Sequence, residues 1–76
     1  MNAERRKALT LLQGEMMDIV ERLNQLKDEE QDYKDNMPEN MQSGEKGDKA
    51  DTAISELETA IENIESASAN IDEAIA

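Results

Sequence analysis

The sequence predicts an all-α fold, an antiparallel hairpin of two long helices, with two such hairpins dimerising into a four-helix bundle. Two observations predict the hairpin. Each half of the chain repeats apolar residues at alternating three- and four-residue spacing, and the only proline, Pro38, lies between the halves. Residues at this spacing share one side of a helix. Because the chain has only 76 residues, we expect one domain spanning 1–76.

The first helix is predicted over residues 3–36. Its apolar seam consists of Leu9, Leu12, Met16, Ile19, Leu23, Leu26 and Tyr33, with Glu30 as the interruption. Most other residues of this segment are good helix formers. Gly14 falls outside the seam, where we expect a tolerated surface glycine.

The turn is predicted over residues 37–47. A residue that precedes proline avoids the helical region, so the first helix should end by Asn36 or Met37. Pro38 suits the first position of a new turn and predicts a short helical turn over 38–42. The turn and cap residues that follow are Ser43, Gly44, Gly47 and Asp48. We expect Met37, Met41 and Tyr33 to fill this end of the core.

The second helix is predicted over residues 48–75. Its seam consists of Ala50, Ile54, Leu57, Ile61, Ile64, Ile71 and Ile75, with Ser68 as the polar break. Two other rows repeat every seven residues. The alanine row is Ala53, Ala60, Ala67 and Ala74, and the acidic row is Asp51, Glu58, Glu65 and Asp72. No basic residue occurs from Ala50 to Ala76, so this helix should carry one anionic side.

Two arguments favour an antiparallel hairpin that dimerises. The helices have equal lengths and a connection of about a dozen residues. The basic segment 5–7 lies at the positive end of the first helix dipole, and Asp72 and Glu73 lie at the negative end of the second, so both groups are unfavourably placed. Antiparallel pairing brings the two groups together, and each offsets the other's unfavourable interaction. The alanine row, with Leu11 and Met17 on the first helix, makes the apolar surfaces wider than one hairpin seam requires. Wide apolar surfaces are typical of helices with two neighbours and predict a homodimer.

The composition excludes several functions. The chain has no cysteine and no histidine, which excludes disulfides, the usual zinc sites and histidine-based triads. Its net charge of −11 repels nucleic acid and anionic membranes, so direct binding to either is not expected and partners should present a basic surface. No apolar run has the length of a signal peptide or a membrane span, which predicts a cytoplasmic protein.

Neither a metal site nor catalysis is predicted. Oxygen ligands at calcium-loop spacing occur at Asp28, Glu30, Asp32, Asn36 and Glu39. However, Tyr33 replaces the required glycine, and the helical seam continues through the segment. Ser43 and Lys46 match a spacing found in some acyl transferases, but a hairpin offers no pocket for chemistry. We therefore expect a non-enzyme without cofactors or metals.

The segment from Asp28 to Glu39, followed by Gln42 and Ser43, resembles short acidic helical proteins of bacteriophages and prophages, which are mostly uncharacterised. The shared features are an acidic run, an aromatic residue, an Asn-x-Pro-Glu turn, a Gln-Ser pair and a helix of Ala-Ile and Leu-Glu units. Gly44 departs from the acidic residue typical of that position. The resemblance implies a phage origin and a bacterial host cytoplasm, and it brings no catalytic residues. By analogy, it implies inhibition of a host or antiviral-defence protein by direct binding.

Three functional hypotheses follow from the sequence. The first is a protein-binding module that inhibits a host or defence protein. The second is an acidic DNA mimic, whose acidic row imitates phosphates, and the third is a structural oligomerisation module. Because seam residues are needed between the helices, the predicted partner-binding residues lie outside the seams. They are Leu11, Met17, Asp51, Glu58, Glu65 and Asp72.

Overall fold

The computed structural model describes all residues from Met1 to Ala76 and contains only helices. Helix α1 spans Ala3–Asp35, α2 spans Glu39–Gln42 and α3 spans Glu45–Ile75. Helix accounts for 89% of the residues, and there are no strands, which confirms the predicted all-α class. The two long helices pack against each other in an elongated hairpin of 58 × 15 × 12 Å. None of its helices combines the length and the apolar character needed to cross a membrane.

Local signals in the sequence define both ends of α1. At the first turn, the Asn2 side chain accepts a hydrogen bond from the backbone N–H of Arg5 at 2.8 Å, which caps the helix. At the other end, the Asn36 N–H still donates to the Asp32 carbonyl at 3.0 Å. The chain then leaves the helix before Pro38, as the restriction on the preceding residue predicts.

The connection is shorter than predicted because α3 starts at Glu45, three residues early, with Gly44 as its N-cap. Gly47 is therefore not a turn residue. It lies in the first turn of α3 and is buried against the end of α2. A side-chain hydrogen bond also holds the connection, because Gln42 Nε2 donates to the Met37 carbonyl at 2.9 Å.

The predicted seam of α3 is the side that faces α1. Ala50 and Ile61 are buried, and the other seam members are half-buried. These half-buried residues are Ile54, Leu57, Ile64, Ser68, Ile71 and Ile75. The 4,3 spacing therefore identified the packed side of this helix correctly.

The predicted seam of α1 is half wrong. Four of its members lie on the surface: Leu12 is 48% exposed, Ile19 48%, Leu26 55% and Tyr33 52%. The side that faces α3 instead lies one heptad row further round the helix than the predicted seam. It consists of Leu9, Gln13, Met16, Val20, Leu23, Lys27, Glu30, Lys34 and Met37. Tyr33 and Met41 are therefore not core residues, whereas Met37 is buried as expected.

Polar contacts between the long helices accompany this orientation of α1. The Lys34 ammonium forms an ion pair with the Asp51 carboxylate on α3. Near the other end, Gln13 Nε2 donates to Asp72 Oδ1 at 2.7 Å and to the Ser68 carbonyl at 3.0 Å. Gln13 and Lys34 belong to the same heptad row of α1, which faces α3. The apolar stem of a lysine can cover hydrophobic surface while its ammonium stays in water.

The ion pairs expected at the open end of the hairpin do not form. The only ion pairs are Lys34–Asp51 and Lys49–Glu45, so the basic segment 5–7 has no acidic partner. Asp72 instead accepts its hydrogen bond from Gln13. The basic segment therefore remains available for contacts outside the hairpin.

Candidate functional site

The heptad positions divide the hairpin into two sides. On both long helices the seam alternates between heptad positions a and d, where Leu9 and Ala50 are d positions and Gln13 and Ile54 are a positions. Position g precedes each a position by one residue, and position e follows each d position. In an antiparallel pair, the g rows of both helices flank the seam on one side and the e rows flank it on the other. The composition of these rows decides what each side can bind.

The g rows form an apolar face. On α1 the row contains four large apolar side chains that are about half exposed, and on α3 it is the alanine row. We call these eight residues the apolar face: Leu12, Ile19, Leu26 and Tyr33 with Ala53, Ala60, Ala67 and Ala74. The α1 members are about half exposed, and no element of the chain covers them. An exposed apolar surface of this kind is usually an interaction site and only rarely an ordinary solvent-facing surface.

The e rows form an acidic face on the opposite side. It combines the acidic row of α3 with an uncharged row of α1. We call these eight residues the acidic face: Asp51, Glu58, Glu65 and Asp72 with Thr10, Met17, Asn24 and Gln31. Two of the four acids already have partners within the chain, because Asp51 pairs with Lys34 and Asp72 accepts from Gln13. The carboxylates of Glu58 and Glu65 form no ion pair and accept no side-chain hydrogen bond.

The predicted partner-binding residues are thus only partly brought together. Met17 is 45% exposed and lies on the acidic face, where it adds an apolar side chain level with Glu65. Leu11 is 65% exposed but occupies heptad position f, on the outer side of α1 and away from both faces. The sequence pattern does not single out the apolar face of α1, because its residues also fit the predicted hairpin seam. The seven-residue spacing of Leu12, Ile19, Leu26 and Tyr33 was the signal that could have identified it.

The surface has no concave pocket, and no group of three or more acidic side chains is arranged to hold a metal ion. Asp28, Glu30 and Asp32 all lie within α1, where residues two apart point about 200° away from each other. What the hairpin does offer is two long faces, one apolar and one acidic.

Nothing in this geometry assigns the chain to a known group. Comparisons with protein-family models, curated proteins and solved structures gave no significant match.

Proposed function

We propose that this chain is a non-enzymatic protein-binding module that works as a homodimeric four-helix bundle and engages another protein with its acidic face. The observation that carries the proposal is the rotation of α1. Lys27, Glu30 and Lys34 lie at the contact with α3, while larger apolar side chains of the same helix face water. A helix with apolar side chains both at its contact with one helix and on its exposed side is suited to two neighbours.

The free energy of burial supports dimerisation. Full burial of a leucine, isoleucine or aromatic side chain contributes about 1.5–3 kcal/mol. The four α1 members of the apolar face are about half exposed, so covering each one contributes roughly 1 kcal/mol. The isolated hairpin gains little free energy from apolar burial, because only five of its 76 residues are buried.

The acidic face supports binding to a protein with a basic surface. Glu58 and Glu65 present free carboxylates, and Met17 offers a flexible apolar side chain beside Glu65. Complementary charge raises the rate of encounter and selects partners, whereas apolar anchors prolong the lifetime of a complex. In this proposal the acids therefore control association, and Met17 controls dissociation.

The resemblance to acidic phage proteins supports a more specific role. We place the module in the cytoplasm of a bacterial host, where it inhibits a host or antiviral-defence protein by direct binding. The excess of acid, −11 in 76 residues, suits a target whose own function requires a basic surface.

A matched pair of charge reversals tests the acidic face. Glu58→Lys with Glu65→Lys changes that face, while Glu56→Lys with Glu62→Lys makes the same change of net charge on the outer side of α3. Binding is measured against a protein captured from host lysate and then purified. The first variant should associate more slowly and the second should bind as the parent does. Equal effects of the two variants would mean that net charge, rather than this face, governs binding.

A matched pair of apolar substitutions tests the anchor. Met17→Ser should speed dissociation of the captured partner, whereas Leu11→Ser, on the outer side of the same helix, should have little effect. Both variants must retain the parent's helix content, measured by circular dichroism. A larger effect of Leu11→Ser would place the partner on the outer side of α1.

The regular spacing of the acidic row keeps a DNA mimic as the alternative function. A mimic blocks a nucleic-acid site, so its affinity for the target should fall steeply as salt is raised. The binding module proposed above should lose affinity only mildly, because its apolar contacts do not depend on salt. The engagement of Asp51 and Asp72 within the chain favours the binding module. A structural spacer, the remaining alternative, would bind only its own second copy.

A further inference from the structure

We infer that the apolar face is the dimer interface and that α1 packs antiparallel on α1 of the second copy, with the two turns at opposite ends of the bundle. This geometry rests on the proposed homodimer and specifies which residues meet. It commits the apolar face to one occupant, a second copy of this chain.

The size of the face fits that occupant. The hairpin measures 58 Å by 15 Å across its broad side. Stable protein interfaces bury about 800 Å² on each partner. A second hairpin of the same length covers the whole side, whereas a short peptide or a small globular domain would leave much of it in water.

Two symmetric arrangements place one apolar face on another with every neighbouring pair of helices antiparallel. In the first, α1 lies on the second copy's α1, α3 lies on its α3, and the turns are at opposite ends. In the second, α1 lies on the second copy's α3, and both turns are at the same end. Both arrangements cover the same rows, so burial of apolar surface does not choose between them.

The distribution of charge favours the first arrangement. Residues 28–51, which form the turn end of the hairpin, contain nine acids and three bases, for a net charge of −6. At the open end, residues 1–14 carry +2 and residues 66–76 carry −2, for a net charge of zero. The second arrangement brings two ends of −6 together. The first places each of them against a neutral end, and juxtaposed like charges oppose association.

The side chains at each level agree with the first arrangement. When two copies of α1 are centred between Ile19 and Leu26, each Ile19 faces Leu26 of the second copy, and each Leu12 faces Tyr33. The same register brings the basic segment 5–7 level with Glu39 of the second copy. Because this segment has no acidic partner in its own chain, the dimer supplies one. On the other half of the face, the alanine row allows the two α3 helices to approach closely.

Engineered cysteines test this register directly, because the chain has none of its own. Leu12→Cys and Tyr33→Cys are prepared separately, mixed in equal amounts, oxidised and separated on a denaturing gel. The mixture should give a covalent heterodimer, while each variant alone should give far less. A matched mixture of Leu12→Cys with Ala74→Cys reports the second arrangement. A heterodimer from that mixture alone would overturn the inferred geometry.

Two further variants test whether the apolar face is the interface at all. Sedimentation equilibrium should find Ile19→Asp monomeric at concentrations where the parent is dimeric. Leu11→Asp, which adds the same charge outside the face, should remain dimeric. A dimeric Ile19→Asp would overturn the inferred interface. A monomeric parent at tens of micromolar would overturn the proposed homodimer itself, so the two failures are distinguishable.

Discussion

Two glycines inside the long helices have opposite surroundings. Gly14 lies on the exposed side of α1, and a Cβ atom built there meets nothing within 4 Å. Gly47 is buried in the first turn of α3, and a Cβ atom there would lie 1.8 Å from the Gln42 carbonyl oxygen. That contact involves backbone that Gln42 also fixes through its bond to Met37. Gly47 therefore permits the close approach of α2 to α3, whereas no other part of the chain approaches Gly14.

Replacing each glycine with alanine should shift stability in opposite directions. Gly14→Ala should raise the free energy of unfolding by about 0.5–1 kcal/mol, because alanine is the better helix former. Gly47→Ala should lower it by about 1–3 kcal/mol, since the added methyl group forces backbone apart. Urea denaturation of the two variants and the parent at equal concentration measures both shifts. If Gly47→Ala were as stable as the parent, the close packing of α2 on α3 would be incorrect.

At the level of the helices, sequence patterns predicted α3 better than α1. The seam of α3 was correct because only one pair of neighbouring rows on that helix is rich in large apolar residues. On α1 three neighbouring rows carry apolar residues, and two seams share the row of Leu9, Met16 and Leu23. Apolar periodicity identifies the rows of a helix that need to be buried, but it does not identify which neighbouring helix buries each row. The observed orientation includes long-range polar contacts, such as Lys34 with Asp51, that no spacing within α1 reveals.

The same reasoning explains how much of the candidate site was predictable. The acidic row and Met17 were identified from spacing and from exclusion from the seams. The pairing of Asp51 and Asp72 within the chain was not, because it depends on the register between α1 and α3. The free carboxylates are therefore those of Glu58 and Glu65, the two central members of the row.

A charge in the α3 seam should unfold the hairpin. Ile61 is among the few buried residues, and Ile61→Asp places an unpaired carboxylate there, at a cost of several kcal/mol. Ser66→Asp adds the same charge on the exposed side of α3 and should leave the fold intact. Circular dichroism should show loss of helix for the first variant and retention for the second. A fully helical Ile61→Asp would mean that the seam contributes little to stability.

The whole molecule combines a high negative charge with a thin core. A net charge of −11 on a rod 58 Å long repels itself along its length, most strongly at the turn end and along α3. Only one ion pair joins the two long helices. Salt screens repulsion between exposed charges over distances of about 10 Å at 0.1 M.

Added sodium chloride should therefore stabilise the protein. The melting temperature should rise between 10 mM and 300 mM salt, because screening weakens the repulsion of the folded rod more than it weakens one ion pair. The variant with Glu58→Lys and Glu65→Lys has a net charge of −7 and should show a smaller rise. A melting temperature that falls with salt would indicate that attractive ion pairs outweigh the repulsion.

The placement of apolar and acidic rows on opposite sides of the hairpin also determines valency. When two apolar faces cover each other, the two acidic faces point outward from opposite sides of the bundle. One flat partner surface then contacts only one of them, and two partner molecules bind one dimer without touching each other. The expected stoichiometry is two to two. Against a target that is itself oligomeric, the dimer acts as a cross-linker, and its apparent affinity exceeds that of one face alone.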